Sequence, residues 1–317
     1  MKFFFRRTLK NNRGIALITV ILLVSVLVAL AIELNRSARA DIYDAANISD
    51  GIKLAYIAKS GFYGATALLL NTSSENATTL LDDWANTEAL SVRSREFFDN
   101  GYFIVRVEDE MGKIPLNKLA ENAVLRSALI RLLGQPEFGL DRAKAEEIVA
   151  SIKDWIDEDN DVTSGGAESS YYLAQDPPYR AKNAPLDCIE ELLMIKGITK
   201  EIFAGTKEKP ALADYVTADG DGLININTAP LLVLRSLSDA ITPAIAQEMD
   251  EYRRNKSNNL AQAWYIAYDN SLGNIAALNS NYFKIISAGK MNKMEQKITA
   301  IIAWDGKSAK ILKWGVD

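Results

Sequence analysis

The fold is decided by a stretch close to the N-terminus, residues 13–32, which reads RGIALITVILLVSVLVALAI. Residues 15–32 carry no charge, and as an α-helix they span roughly 27 Å at about 1.5 Å per residue, enough to cross the apolar core of a bilayer. Five cations and no acid precede this segment: Lys2, Arg6, Arg7, Lys10 and Arg13. Such a flank predicts that the N-terminus stays in the cytoplasm and that the rest of the chain crosses the membrane.

The composition of the 317-residue chain excludes several classes of site. Because there is no histidine, imidazole metal sites and catalytic pairs built on histidine are excluded. The single cysteine, Cys188, cannot form an intramolecular disulfide or a thiolate zinc cage, and we expect it to be a buried apolar residue. The formal net charge is −5, and removal of the five N-terminal cations takes it to −10 (−5 − 5). The part beyond the membrane is therefore acidic.

Gly14 lies directly between the basic run and the apolar run. A secretory signal has the opposite order, because its small-residue cleavage site follows the apolar region. The arrangement Arg13-Gly14-Ile15 resembles the leader of prepilins, residues 1–14 here, which a prepilin peptidase removes on the cytoplasmic side after the glycine. The resemblance implies a mature chain that begins at Ile15 and is methylated there. The alternative is an uncleaved membrane anchor.

Helical periodicity continues beyond the apolar segment, because apolar residues recur at steps of three and four with charges between them. The pattern predicts one helix from residue 15 to about residue 70, softened at Gly51, Gly61 and Gly64. Its first half, 15–32, spans the membrane. Its second half is amphipathic and is predicted to pack on a soluble domain. The apolar positions of this half are Leu34, Ala38, Ile42, Ala45, Ile48, Ile52, Ala55, Tyr56 and Phe62.

The predicted β-sheet is split in the sequence. Segments rich in β-branched and aromatic residues occur at 101–107 and again at 282–288, 298–304 and 310–314. Residues 118–281, between them, have helix and loop patterns almost throughout. The predicted fold class is therefore α+β: a pilin-like long N-terminal helix on a small antiparallel sheet (71–117 and 282–317), with a large helical domain (118–281) inserted between strands.

Five stretches carry a resemblance to a known family: RGIALITVILLV, DEMGKIPLNKL, DWIDEDND, GAESSYY and ININTAPLLVL. Together they make the chain resemble, over nearly its whole length, the minor pseudopilin K family of bacterial type II secretion systems. Members of that family carry a helical domain inserted into a pilin-like fold. The resemblance implies an assembly subunit and no enzymatic activity.

The resemblance also implies where the protein works. It predicts a single-pass protein of the bacterial inner membrane whose C-terminal domain is periplasmic. The expected partners are minor pseudopilins I and J, the major pseudopilin, the prepilin peptidase and the inner-membrane assembly platform, with no nucleic acid involved. Together with I and J, the protein would form the tip of the periplasmic pseudopilus and start or cap its assembly. The pseudopilus serves the export of folded proteins across the outer membrane.

Thr19 is the fifth residue after Gly14, where most pilins and pseudopilins have a glutamate. That glutamate pairs with the charged N-terminus of a neighbouring subunit, and an unpaired carboxylate within a bilayer is costly. A subunit with no neighbour above it gains by losing the carboxylate. The replacement by Thr19 is similar to the K family and implies a position at the tip.

An acidic loop follows a helix predicted at residues 141–155. If Asp157 is counted as position 1, oxygen-bearing residues occupy the ligand positions of a calcium loop: Asp157, Asp159, Asp161, Thr163 and Glu168. Val162 stands where an EF-hand requires glycine, so the loop is not an EF-hand. Hard oxygen donors favour calcium, although many acidic loops are only solvated. The resemblance implies a structural calcium site with Asp157, Asp159, Asp161 and Glu168 as ligands, and Asp219 with Asp221 forms a weaker candidate.

Other classes of protein fit the sequence less well. The segments Leu192–Ile198 and Ile224–Pro230 resemble helix-hairpin-helix sequences, which bind DNA phosphates, and a membrane-anchored DNA receptor is the alternative reading. A mature charge near −10 opposes a phosphate-binding surface, and Lys196 is the lone cation of the first hairpin. A minor pilin of a type IV pilus is a nearer alternative, and no nucleophile or phosphate loop supports an enzyme.

Overall fold

A computed structural model of the chain describes residues 13–71, 77–304 and 308–317. The predicted leader therefore lies outside the described residues, apart from its last two positions. The chain forms two compact units, Met1–Ala55 and Tyr56–Asp317. The first unit holds most of the N-terminal helix, and the second holds the sheet and the helical domain.

Helix α1 runs without interruption over Arg13–Asn71, close to the predicted range. The expected softening at three glycines is wrong, because helical hydrogen bonding continues through them. Gly61 has a packing role instead: a Cβ there would overlap Ser287 Oγ and lie 2.9 Å from the Phe103 ring. Glycine at this position lets the helix backbone approach the sheet closely.

The predicted apolar positions of α1 are only partly buried. In the first unit, Leu34, Ile42 and Ile52 are 71%, 67% and 54% exposed. In the second unit, the helix buries Ile57, Ala58, Phe62, Ala65 and Leu69. This part of α1 therefore packs on the soluble domain as predicted, although Phe62 is the one predicted position among the five and Tyr56 is 65% exposed.

The sheet confirms the predicted fold class, since its strands come from two distant parts of the sequence. Its order is β1-β6-β7-β8 and every neighbouring pair is antiparallel. The strands are β1 (Gly101–Asp109), β6 (Tyr282–Met291), β7 (Met294–Trp304) and β8 (Ala309–Val316). Asp109 at the end of β1 is paired with Phe283 near the start of β6, so the chain leaves and re-enters the sheet at the same place.

One face of the sheet packs against α1. Alternate residues of β6 are buried, as expected for a strand with one covered face. The Ser287 hydroxyl on this face donates a hydrogen bond to the Ala58 carbonyl of the helix at 2.7 Å. Phe62 meets Trp314 of β8 edge-to-face, with ring centroids 5.0 Å apart. The edge of β1 is covered by helix α2 (Glu88–Arg93) and the turn after it, where the Ser94 hydroxyl bonds the Phe103 main chain.

The inserted domain lies between β1 and β6 and has its own core. Its helices are α3 (Ala123–Leu133), α4 (Arg142–Ile156), α5 (Ser169–Tyr172), α6 (Lys200–Ala204), α7 (Leu231–Ser236) and α8 (Pro243–Arg254). Two parallel two-strand pairs accompany them: β2 (Ile114–Pro115) with β3 (Val216–Thr217), and β4 (Ile224–Asn225) with β5 (Ala276–Ala277). Short 3-10 turns in the second unit are Asp83–Ala85, Ser94–Glu96, Glu110–Gly112, Leu116–Lys118, Ile189–Met194, Leu212–Asp214, Trp264–Ala267 and Asn270–Asn274.

Details of the inserted domain differ from the sequence expectations. Ile114 and Leu116 belong to its core, so the domain begins before residue 118. Asp141 caps α4 through the Lys144 N–H, as its position predicts. Asn227 and Thr228 do not cap α7, whose N-cap is Pro230, because both polar side chains turn inward to other partners.

Candidate functional site

The first functional feature is the apolar part of α1. In the described part of the chain, α1 is the one helix that is long and apolar enough to cross a membrane, with a mean hydropathy of 3.2 over its most apolar 18 residues. None of that window is buried inside the protein. Gly14 stands at its start, where no described residue beyond its own stretch of helix has an atom within 4 Å of where a Cβ would lie, and Ile15 is 63% exposed.

The two hydroxyl groups of this segment are satisfied within the helix. Thr19 Oγ1 donates to the Ile15 carbonyl at 2.9 Å, and Ser25 Oγ donates to the Ile21 carbonyl at 2.8 Å. A hydroxyl bonded four residues back needs no partner from outside the helix. Thr19 therefore needs no hydrogen-bond partner from a neighbouring subunit, whereas a carboxylate at the same position would need a partner there.

The second feature is the acidic loop, which connects α4 to α5. Asp157 is the C-cap of α4 and Glu168 is the N-cap of α5, so the loop is anchored at both ends. Asp157, Asp159 and Glu168 converge: each offers a carboxylate oxygen within 4.8 Å of the others. Helix ends thus bring together three of the four predicted ligands.

The carboxylates of this cluster repel one another. Glu168 is only 2% exposed, and burial, together with the nearby carboxylates of Asp154, Asp157 and Asp159, raises its pKa to about 7. One oxygen of Asp157 accepts from Lys153 Nζ at 2.8 Å. The other Asp157 oxygen and Oε1 of Glu168 are buried and have no hydrogen-bond partner among the residues that the structure describes. Buried carboxylate oxygens that lack partners are costly, and a hard cation bound among them would remove that cost.

Asp161 does not join the cluster. Its side chain is exposed, and its main-chain N–H donates to Asp159 Oδ1 at 2.8 Å. The weaker predicted pair is engaged elsewhere: Asp219 forms an ion pair with Lys313 at 2.7 Å, and Asp221 Oδ1 accepts from the Leu223 N–H at 3.1 Å. These three carboxylates act as loop and ion-pair residues in the structure.

Two further residues, Asp154 and Asn183, border the loop, and no spacing in the sequence marks them. Asp154, in the last turn of α4, is fully buried and accepts from the Thr163 N–H. Gly166 is required beside it, because a Cβ there would overlap Asp154 Oδ2. Asn183, with a left-handed φ of 47°, donates to the Asp159 carbonyl while its own side-chain oxygen is buried without a partner. Asn183 thus offers a further side-chain oxygen as a ligand atom at the loop.

Lys196, the cation of the first hairpin-like segment, also serves the acidic loop. Its Nζ donates to the carbonyls of Gly165 and Gly166 at 3.1 and 3.0 Å and lies 5.3 Å from the centre of the Tyr171 ring. This amine is therefore occupied within the domain, which weakens the DNA-receptor alternative. Cys188, expected to be buried, is exposed, because it lies at the start of a short 3-10 turn beside the sheet.

Known proteins are similar to this chain in sequence and in fold. A family model for protein K of the type II secretion system matches residues 112–218. Type II secretion system protein K of Pseudomonas aeruginosa is 26% identical over 315 residues, covering 95% of this chain and 91% of the relative. The protein K of Klebsiella pneumoniae is 27% identical over 244 residues, covering 74% of this chain and 71% of the relative.

A chain in the crystal structure of the GspK-GspI-GspJ complex of enterotoxigenic Escherichia coli has the same fold. The TM-score is 0.67 at 23% identity, with 85% of this chain and 97% of that chain covered. An apolar N-terminal helix, a sheet split in sequence and an inserted helical domain define a pilin-like assembly subunit. In sequence the chain is similar to type II secretion system protein K, whose family model matches residues 112–218. Its role is that of a minor pseudopilin in type II secretion.

Proposed function

We propose that this minor pseudopilin forms the tip of the periplasmic pseudopilus, where it initiates or caps assembly. The observation that carries the proposal is the inserted domain. The helical domain enters and leaves the pilin-like unit at one end of β1 and β6. A bulky domain at that position would block the addition of a further subunit, while the unobstructed helix α1 remains able to join subunits below.

The proposed partners are minor pseudopilins I and J, which the name of the related E. coli complex couples to a K protein. The surface that supports this is the exposed apolar spacing on the first unit of α1, which includes Leu34, Ile42 and Ile52. Large apolar side chains at helical spacing in an aqueous compartment favour packing against other helices. Helices of I, J and the major pseudopilin have the chemistry to cover this stripe when the assembly platform draws the subunit from the membrane.

The proposed maturation is cleavage after Gly14 by the prepilin peptidase and methylation of Ile15. We place the apolar segment in the inner membrane as a single span, with the second unit in the periplasm. The cationic flank and the uncharged segment at 15–32 support this orientation. Thr19, bonded within its own helix, suits a subunit that has no neighbour above it. No step of this role calls for catalysis.

Calcium is the proposed structural ligand of the acidic loop. The donors present fit it, since they are all oxygens and the buried oxygens of Asp157 and Glu168 lack partners. Asp157, Asp159 and Glu168 would hold the ion, and Asn183 offers a further oxygen. A bound calcium would supply positive charge that offsets the repulsion among these carboxylates. The loop between α4 and α5 would then be fixed at both ends.

Removal of the inserted domain tests the tip role. Because Asp109 and Phe283 are paired neighbours, residues 110–281 can be replaced by a short turn that joins β1 to β6 as a hairpin. We expect the shortened chain to enter pseudopili but to leave their growth uncapped, so that they become longer while secretion is lost. The measurement is pseudopilus length by electron microscopy. Pseudopili of unchanged length, built with a shortened chain that is folded and incorporated, would contradict the proposal.

A further inference from the structure

A buried carboxylate, Asp109, lies where the chain leaves the sheet for the inserted domain. Asp109 is the last residue of β1 and has 8% of its surface exposed. In the described part of the chain no cation forms an ion pair with it. Burial raises its pKa to about 6, so at pH 7.5 the group is a carboxylate. An unpaired buried anion is retained only where hydrogen bonds replace its lost water.

Four donors provide those hydrogen bonds. The Met111 N–H donates to Oδ1 at 2.8 Å. Oδ2 accepts from Asn225 Nδ2 at 3.2 Å, from Thr228 Oγ1 at 2.5 Å and from the Ser280 hydroxyl. Both oxygens are thus used as acceptors, and an ionised carboxylate is the side chain that can accept from all four donors at once.

The donors come from three separate parts of the molecule. Met111 belongs to the turn by which the chain enters the inserted domain, and Ser280 to the segment by which it returns to β6. Asn225 and Thr228 belong to the inserted domain itself, in the stretch ININTAP. Asn225 Nδ2 also donates to the Thr78 carbonyl at 3.0 Å, which ties in the segment that precedes the sheet. The stretches DEMGKIP and ININTAP, both prominent in the sequence, therefore meet at one carboxylate.

The two chain crossings alone do not fix the inserted domain. They lie side by side, because Asp109 and Phe283 are paired neighbours, and two adjacent crossings form a hinge axis. A cleft of about 460 Å³, lined by Glu110 and Lys284 beside this axis and by the pair Asp219 and Lys313, separates the sheet from the inserted domain. Lys313, about one-third exposed, forms an ion pair with Asp219 across the cleft, and solvent weakens a partly exposed pair of this kind. Further contacts between the body of the inserted domain and the crossings are needed to fix its orientation.

Close packing at the same place supports the carboxylate. A Cβ at Gly112 would lie 3.0 Å from Thr228 Oγ1 and 3.2 Å from the Thr228 carbonyl oxygen, so only glycine lets the entry turn come this close. Next to it, the Thr217 hydroxyl donates to buried Glu110 at 2.5 Å. The close approach of Gly112 lets the Thr228 hydroxyl reach Asp109, and the Thr217 bond fixes the neighbouring Glu110.

From this geometry we infer that Asp109 is a positioning residue, whose carboxylate locks the orientation of the inserted helical domain on the pilin-like sheet. The lock fixes the domain by joining its ININTAP turn to both chain crossings. The inference concerns the geometry within one chain and holds whether or not the tip role is correct. It does mean that any surface the domain presents to partners depends on a residue remote from that surface.

The lock is testable by measuring distances between two spin labels on the full-length chain in detergent micelles. Cys188 is the natural single thiol, is exposed and lines the cleft on the side of the inserted domain. A second label at Ile104→Cys sits on β1, where Ile104 is 47% exposed. We expect one narrow distance distribution at pH 7.5 with Asp109 present. Asp109→Ala should broaden it or shift its mean, and Asp109→Asn, which keeps size and one acceptor, should give an intermediate result.

Lys313→Ala, which removes the ion pair across the cleft, is the matched control and should leave the distribution unchanged. Thr228→Val and Ser280→Ala each remove one donor and should broaden it partially, which keeps the test usable if Asp109→Ala does not fold. A folded Asp109→Ala chain with the original distribution would overturn the inference. So would a Lys313→Ala chain that broadens as much as Asp109→Ala.

Discussion

At the scale of single residues, Gly14 and Gly61 occupy the same helix for different reasons. Gly61 is demanded by the fold, since a Cβ there would overlap Ser287. The described part of the fold does not demand Gly14, because beyond its own stretch of helix nothing there lies within 4 Å of where its Cβ would be. A requirement for glycine at position 14 would therefore arise from the peptidase that recognises the chain and not from the folded protein.

This difference gives a prediction about maturation. Gly14→Val should leave the helix intact but abolish leader removal, because a branched side chain obstructs close approach of the backbone in a peptidase cleft. Gly51→Val is the matched control, since position 51 of the same helix is equally open. Intact-mass spectrometry of membrane fractions distinguishes the two, with only the control expected to begin at Ile15. Normal processing of Gly14→Val would rule out this account of the leader.

The acidic loop shows which ligand residues can be predicted from the sequence and which cannot. The spacing of Asp157, Asp159 and Glu168 predicted three carboxylates that the structure brings together. It also predicted Asp161, which points away because the chain turns at Asp159, whose side chain takes the Asp161 N–H. Asn183 was out of reach of the sequence pattern, since it arrives from a segment 24 residues beyond Asp159. Local spacing predicts local ligands, and tertiary contacts bring the remaining ones.

At the scale of elements, helices and strands with a strong periodicity of apolar residues were predicted correctly. The split sheet follows from alternating residues in β6 and β7, and α4 follows from its apolar spacing and the Asp141 cap. The apolar stretch Ile189–Met194 forms only a 3-10 turn, because Ile195 adopts an extended backbone and ends it. The two-residue strands β2 to β5 had no detectable period, since each exists only through its partner far along the chain.

The loop between α4 and α5 carries a prediction about calcium. Titration calorimetry of the chelator-treated chain should show binding that Asp157→Asn and Glu168→Gln weaken by roughly 10–100-fold. Asp161→Asn is the matched control and should bind as the unaltered chain does. Calcium at about 100 times its Kd should add about 2.7 kcal/mol to the free energy of unfolding, and a chelator should remove it. Equal affinity in all four chains would exclude this loop as the site.

At the scale of the whole molecule, the two units present different surfaces. The first unit displays apolar residues along its helix, with Ile42 and Ile48 about two-thirds exposed. The second unit buries its own core and carries the inserted domain. Such a division suits a subunit that joins a helical assembly through one part and ends it through the other. The overall architecture was predictable because both signals, the apolar segment and the split sheet, are long-range features of the sequence.

Labelling of the assembled pseudopilus can show whether the subunit lies at the tip. A C-terminal epitope tag on the full-length chain, detected with gold-conjugated antibody on pseudopili under the electron microscope, shows where the subunit lies. We expect gold at one end of each pseudopilus and none along the shaft. Gold spaced along the shaft would mean that subunits add above the inserted domain, and that result would contradict the capping role.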